Sequence, residues 1–463
     1  MFRISDFIRM KLRPYQVEVA RAVTESIRKG MGLTFSVEIA RQGGKNELSA
    51  HLEVLLLTLY MARGGNIIKC SPTFKPQTVI SMERLKQRLD DFGFDGIYRP
   101  QMGYILQVGN AKAIFLSAEG SSSVVGHTAD ILLEIDESQD VGKEKYSKEF
   151  RPMGSATNVT TILYGTTWDD STLLEETKQA NLELERKDGV KRHFRYDWQQ
   201  VGCYNPDYLR FVESERQRLG EDHPLFRTQY ALLAVARGGG FLSRQQIALM
   251  LGEHYRQAQP EERRTYVAGV DLAGEHEMEM TEAGHGRGRG HDSTVITIAE
   301  MDAMRPSQPV LKTVEQYQWT GTPHSQLYTQ MVDILKNVWN CRRIVVDATG
   351  IGQPVASFLK KELGSRVIPF VITSKSKSEM GFELLSFINS GRLKIYKQDG
   401  SQEYKETLFE MERARVRYRP NQMMNFYVDP QEGHDDFLVS LALVVQAAKD
   451  LSPREARGWV REN

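Results

Sequence analysis

The sequence predicts an α/β protein of two domains, each built on a sheet whose strand ends present acidic side chains. Three observations predict it. Short apolar runs end in carboxylates at Ile131–Ile135 before Asp136 and Glu137, at Thr265–Val270 before Asp271, and at Arg343–Val346 before Asp347. Runs this short, bounded by polar residues, read as strands buried on both faces, and the carboxyl edge of such a sheet is where ligand-binding groups gather. In the first half these runs alternate with helical patterns, as the crossovers of a parallel sheet require. A chain of 463 residues also exceeds what one hydrophobic core serves.

Bulk composition excludes more than it selects. Acidic and basic residues balance at 60 each, so no global field announces a polyanionic partner, and any nucleic-acid surface must be local. The three cysteines, Cys70, Cys203 and Cys341, are far apart and form no CxxC pair. That argues against a zinc ribbon or a disulfide framework and fits a reducing compartment. No apolar run reaches membrane-spanning length, and Met1–Asp6 lacks a signal-peptide core, so a soluble intracellular protein is expected.

Residues 11–29 carry a helical apolar period, entered through Leu12-Arg13-Pro14-Tyr15-Gln16. Proline is a normal way into a helix, and the Gln16 amide can read an adenine edge. Leu33–Ile39 alternates as a strand, Ala40–Glu47 is a glycine-rich turn, and a helix follows through Leu48–Arg63. Strand, glycine turn and helix form the P-loop context. Backbone N–H groups curl around phosphates, the helix start adds its positive end, and Lys45 reaches the outer phosphates, with Arg41 near the γ-phosphate. The match to GxxxxGK[ST] departs at two points: Ile39 stands at the first glycine and Asn46 at the magnesium-binding hydroxyl. An amide oxygen can still take a metal ion or its water.

Asn66–Cys70 and Ala113–Leu116 are further short strands, with a helix over 75–91 between them. Ser121–His127 is a polar loop, able to contact DNA or a neighbouring subunit or to serve as plain connection. At the end of the Ile131–Ile135 strand, one carboxylate can hold magnesium (Asp136) and its neighbour can orient an attacking water (Glu137). Thr160–Tyr164 is the next strand, and Gly165-Thr166-Thr167 after it sets a hydroxyl pair where a γ-phosphate is sensed.

Residues 171–236 are charged and partly helical; Arg237–Gly240 is a hinge-like break and Gln257–Arg264 is polar. The expected division is a first domain over 1–255, including a helical subdomain and linker at about 197–255, a second over 256–450, and a mobile tail over 451–463. The second domain restarts with the strand ending at Asp271. Glu275–Arg289 reads as a mobile hairpin tip whose neighbourhood holds His276, His285 and His291 without regular metal-ligand spacing. Strands follow at Val295–Ala299 and Gln308–Trp319, then the strand ending at Asp347, then Val367–Val371. Arg413, Arg415, Arg417 and Arg419 alternate along one strand and can track phosphates. Gly433-His434-Asp435-Asp436 opens the apolar helix Phe437–Ala448; an acid there is also an ordinary helix cap.

Asp271, Asp347 and Asp435 or Asp436 form an ordered trio. Hairpin strands, then βα units, then an acid-bearing helix can bring them together. Acids so placed repel one another unless cations sit between them. Two divalent ions remove the conflict and clamp a phosphodiester for attack by water, which is ribonuclease-H-like nuclease chemistry. A DNA helicase-nuclease of repair or recombination is the main rival, but it needs a second ATPase core where this chain has acids at strand ends. A transposase with an added ATPase needs a separate helical DNA-reading domain, and none is evident.

From Leu12 to about residue 449 this order of motifs resembles the large terminase subunits of tailed bacteriophages. The resemblance implies a P-loop (RecA/ASCE-like) ATPase domain followed by a ribonuclease-H-like nuclease domain. It implies an ATP-driven motor that moves double-stranded DNA through a portal into a procapsid and cuts the concatemer. It implies that ATP is held by Gln16, Arg41, Gln42, Gly43, Gly44, Lys45 and Asn46, with Asp136 on magnesium, Glu137 activating water, and Thr166 and Thr167 coupling hydrolysis to movement. It likewise implies that Asp271, Asp347 and Asp436, with Asp435 and Asp292 close by, bind the nuclease metals, Mg2+ with Mn2+ as an alternative. The implied partners are the portal protein, the small terminase subunit and copies of itself in a ring on the portal, with a monomer when free and no membrane. The implied location is the host cytoplasm, transiently on the procapsid and not in the mature virion. The Glu275–Arg289 insertion is outside the shared pattern.

Overall fold

A computed structural model describes residues 12–119, 126–235, 238–272, 293–302, 309–350, 352–419, 422–449 and 451. The chain divides into two compact units: Met1–Arg216 with Pro224–Ala236, and Gln217–His223 with Arg237–Asn463. Residues 217–223 and 238–255, read from the sequence as part of the first domain's helical subdomain and linker (about 197–255), cluster with the second unit. Gly238–Gly240, expected as part of a hinge-like break, pairs there as a strand with the arginine strand.

The first unit is an eight-stranded sheet in the order β3-β4-β5-β2-β6-β7-β1-β8. Its strands are β1 (Thr34–Ile39), β2 (Gly65–Ser71), β3 (Arg99–Gln101), β4 (Ile105–Val108), β5 (Ala111–Ser117), β6 (Leu132–Ile135), β7 (Thr160–Gly165) and β8 (His193–Tyr196). From β5 to β8 all neighbours are parallel. Only β3 and β4 join antiparallel, at one edge. These two and β8 fall outside the expected strands; each is short, and Pro100 breaks the pattern of β3. Central strands covered on both faces are apolar along most of their length, and β6 and β7 are buried at every position, Glu134, Thr160 and Thr161 included. Helices α1 (Pro14–Lys29), α2 (Lys45–Tyr60), α3 (Val79–Asp91) and α4 (Leu173–Asp188) complete the part that shapes the site.

The second unit holds a six-stranded sheet in the order β14-β13-β10-β11-β12-β15. Here β10 is Tyr266–Asp271, β11 Ser293–Asp302, β12 Val310–Thr320, β13 Arg343–Asp347, β14 Val367–Phe370 and β15 Leu393–Lys394. Strands β10, β11 and β12 form antiparallel neighbours, and β13 and β14 add in parallel. That is the hairpin-then-βα plan of the expected ribonuclease-H-like fold. A separate three-stranded sheet joins β9 (Gly238–Gly240), β16 (Arg415–Tyr418) and β17 (Met424–Tyr427). The unit's helices include α5 (Arg244–Met250), α6 (His324–Val332), α7 (Gly352–Leu363), α8 (Ser374–Asn389), α9 (Gln402–Arg413) and α10 (Asp436–Ala448). Among the described residues no helix is long and apolar enough to cross a membrane.

Helix α10 is apolar nearly all round because it is buried against β10, β11 and β13. Gly269 permits this. A Cβ there would lie 2.2 Å from the Ser440 carbonyl oxygen and 2.6 Å from the Val444 nitrogen, both helix backbone that cannot turn aside. Gly269→Ala is expected to lower stability by about 2–3 kcal/mol through this overpacking. Urea or thermal unfolding reads the change; an unaltered transition would show that the helix does not need to lie so close.

Candidate functional site

In the first unit β1 ends at Ile39 and α2 begins at Lys45, so the loop between them lies at the carboxyl edge of the sheet. Gln42 and Gly44 take left-handed backbone conformations, with φ of 61° and 96°. At Gly44 a side chain would also meet the Gln16 amide nitrogen at 2.6 Å. The first N–H groups of α2 have no partner within the helix and face this loop. Gln16 is buried and holds the loop from behind: its amide donates to the Gly44 carbonyl at 2.8 Å, and its oxygen accepts from the Arg13 N–H at 2.8 Å. One N–H and one lone pair of that amide remain for a ligand. Tyr15 adds a hydroxyl bond to the Gly43 carbonyl. Arg41 is exposed at the loop tip, and Asn46 is half-buried in the first turn.

Lys45 is buried, and its ammonium donates to the Ile39 carbonyl at 3.2 Å. The same nitrogen lies 3.7 Å from Glu137 Oε1, so the loop lysine and the acid after β6 face each other. Asp136 is buried, and its Oδ1 accepts the Glu137 N–H at 3.0 Å. Burial holds the Asp136 carboxyl above its usual range, with the Lys69 charge opposing and the Glu137 charge adding to the rise. Glu137 itself sits in a left-handed conformation, φ 43°, a costly arrangement for a residue with a side chain and one that clusters at functional sites.

Two glutamines extend the site, and sequence patterns gave no signal for either. The Gln139 amide donates to Glu137 Oε2 at 2.8 Å, and its oxygen accepts the Thr166 N–H at 3.3 Å. The Gln229 side-chain amide donates to the Thr166 hydroxyl at 3.2 Å, while the Gln229 backbone carbonyl accepts the Arg41 N–H at 2.8 Å. Thr166 is therefore tied to both the acid and the loop. Thr167 donates to Glu38 Oε1 at 2.8 Å, linking the same segment to β1. Beneath the sheet edge, the Lys69 ammonium is buried 2.8 Å from the Ser49 hydroxyl and 3.3 Å from Glu53 Oε1. Ser49 also donates to Glu134 Oε2 at 2.6 Å. Burial raises the Glu134 carboxyl well above its usual range, and the nearby Glu53 charge raises it further.

In the second unit β10 and β13 are parallel neighbours, so Asp271 and Asp347 stand at one sheet edge. Asp436 opens α10 and accepts the Ser293 N–H at 2.8 Å, from the start of β11 at that same edge. Asp435, one residue earlier, lies 3.6 Å from the Lys377 ammonium on α8. Asp347 Oδ1 accepts the N–H of Thr349 at 2.8 Å and its hydroxyl at 2.5 Å. A fifth acid, Glu410 on α9, is buried, and its Oε2 accepts the Leu438 N–H at 2.9 Å. Its distance from the aspartates in sequence hid it. Burial drives the Asp271 carboxyl far above its usual range, and the charges of Asp436, Asp347, Asp435 and Glu410 all push the same way. Among the described residues no group of three or more acid, imidazole or thiol side chains is drawn together closely enough to hold a metal ion. Asp292 and the three histidines near the insertion, His276, His285 and His291, lie outside the described residues.

The comparisons bear on both units. Residues 269–447 match the family model of the terminase RNaseH-like domain, a span that contains every acid of the second site. The large terminase of thermophilic bacteriophage D6E is 13% identical, with 94% of this chain and 99% of that chain covered and a TM-score of 0.53. The same phage protein in complex with ATP-gamma-S is 12% identical over 94% and 99%, with a TM-score of 0.50. The HK97 bacteriophage large terminase is 17% identical over 95% of each chain, with a TM-score of 0.42. No curated protein matches the sequence.

Proposed function

We propose that this chain, whose family match and full-length fold likeness support a terminase large subunit, is the motor and nuclease of viral DNA packaging. One conjunction carries the reading. A lysine-bearing loop faces Glu137 in the first unit, and Asp271, Asp347 and Asp436 stand at one sheet edge in the second, with the charges of Asp435 and Glu410 also acting on Asp271. A motor that also cuts its cargo needs both.

In the first unit the free N–H groups of α2, with Lys45, Arg41, Gln42, Gly43 and Gly44, suit the phosphates of ATP, and Gln16 has donor and acceptor capacity left for the base. Asp136 supplies a buried oxygen for magnesium, with Asn46 beside it in the first turn. Glu137 takes a proton from the attacking water and is aimed by the Gln139 amide. Thr166 and Thr167 carry the change outward through their bonds to Gln139, Gln229 and Glu38. The D6E protein binds a nucleotide analogue on a comparable fold.

In the second unit, crowded carboxylates with Lys377 as a neighbouring cation make a hard, oxygen-rich donor set that fits Mg2+ or Mn2+. Asp271, Asp347, Asp435 and Asp436 would hold the ions, which supply a clamp for hydrolysis of a phosphodiester. Thr349 and Ser293 fix the directions of Asp347 and Asp436. The proposed setting is the host cytoplasm, as a ring docked through the portal on the procapsid. The proposed partners are double-stranded DNA and the small subunit, and the protein departs before the virion matures.

Packaging into purified procapsids tests this directly. Wild-type protein with ATP should render DNA resistant to added nuclease, and Lys45→Ala should abolish protection. A chain that unwinds duplexes with ATP but fills no procapsid would instead be a helicase-nuclease.

A further inference from the structure

We propose that the outer face of the three-stranded sheet is a phosphate track that seats duplex DNA; the proposal rests on the nuclease reading of the second unit. In β16 the side chains alternate strictly: Val416 and Tyr418 are buried, and Arg415 and Arg417 are exposed on the other face. Arg413 precedes the strand and Arg419 follows it, both exposed. Alternate residues on a strand repeat every ~6.8 Å on one face, so the arginines form a row rather than a cluster.

The neighbouring strands keep that row accessible. Arg415 and Arg417 pair across to Gly240 and Gly238 on one side, where no side chain can cover them. On the other side they face Tyr427 and Asn425. The result is an open cleft of about 1120 Å³ floored by glycine backbone and walled by arginine. Two acids share it, Glu412 and Glu432, so four arginines stand against two glutamates.

The cations differ in how far they are engaged. Arg415 pairs with Glu432 at 2.7 Å. Arg413 stacks on the Phe409 ring at 3.8 Å and makes no ion pair among the described residues. Arg419 donates from its side chain to the Ser374 hydroxyl, a neutral acceptor, at 3.0 Å. The Arg417 side chain has no hydrogen bond or ion pair among the described residues. A guanidinium row with little carboxylate compensation suits phosphodiester oxygens, which accept its paired donors and release counterions as they bind.

The face also leads to the acidic edge along the chain. Helix α9 carries Glu410 and ends at Arg413, two residues before β16 begins; β17 ends at Tyr427, and the chain runs on to Asp435 and Asp436. DNA seated on the arginines is therefore held by the segments that carry three of the five acids.

Anisotropy of a fluorescent duplex with the full-length protein in EDTA tests the track without cleavage. Removing one arginine that neutralises a phosphate should reduce the slope of log affinity against log salt by ~0.9. The double variant Arg417→Gln, Arg419→Gln should lose about 1.8 in slope and roughly tenfold or more in affinity, whereas Lys361→Ala, exposed on α7, should retain both. Melting temperature confirms that the double variant folds. An unchanged slope in that variant, when the wild-type protein binds and cuts DNA, would overturn the track and leave the nuclease reading intact. A reduced slope in a protein that never cuts would support the track and count against that reading. A wild-type chain that binds no duplex, or prefers single-stranded RNA, overturns the track.

Discussion

Glu137→Gln is expected to lower ATP turnover by about 10²–10⁴-fold, the usual worth of a positioned base, while ATP still binds. The substitution is close to isosteric. An amide oxygen at position 137 still accepts the hydrogen bond that Gln139 now gives Glu137 Oε2, so the link to Thr166 survives. What disappears is the proton acceptor and the negative charge 3.7 Å from the Lys45 ammonium. Losing that charge frees Lys45 for phosphate, so the dissociation constant for ATP should stay level or fall. Lys45→Ala should do the reverse and weaken binding. The separation of the two effects is what identifies the base: ATP turnover gives one, and equilibrium binding of ATP to the slow variant gives the other. Turnover within a few-fold of wild type would remove Glu137 from that role. Weakened binding with normal turnover would mean that the carboxylate only shapes the loop.

The strands that carry acids at their ends were legible because two simple patterns coincide there: a short apolar run, and a charge where the run stops. That coincidence located β6, β10 and β13 and the residues after them. It was blind to acids inside apolar runs. Glu134 lies within β6 and Glu53 within the leucine-rich part of α2, where its only near partner in sequence is the Ser49 hydroxyl one turn earlier; the charge that both acids share, Lys69, comes from β2, so the group exists only after the sheet forms. Glu410 was hidden for the same reason, since it meets Leu438 only when α9 packs on α10. Gly238–Gly240 reads as a break because glycine favours no strand by itself; pairing with β16 overrides that. Gln16 shows a different limit. It was singled out as an amide facing a base, but an amide has several hydrogen-bonding positions, and two of them hold the loop and the helix entry.

Asp271→Asn should abolish DNA cleavage and, in EDTA, make the folded protein more stable. Both follow from the same crowding. Asp271 is buried, and the charges of Asp436, Asp347, Asp435 and Glu410 all disfavour its ionised form. Its carboxyl therefore titrates far higher folded than unfolded, so the folded state binds the proton more tightly. Below the unfolded value, near pH 3.9, the group costs nothing in either state. As pH rises above that value the unfolded chain ionises first, and stability falls until the folded carboxyl also loses its proton. At neutral pH the aspartate thus penalises folding, and asparagine removes the penalty. The melting temperature of the variant should exceed that of wild type at neutral pH, by about 2–4 °C for each kcal/mol regained in a domain of this size, and the gap should close near pH 4. Added Mg2+ reverses the order, because cations among the acids relieve the repulsion in wild type and find one ligand fewer in the variant. A variant that cuts DNA normally would remove Asp271 from the metal site. One that loses cleavage and is also less stable in EDTA would show that the carboxylate holds the sheet edge together, and the like charges around it would then need another explanation.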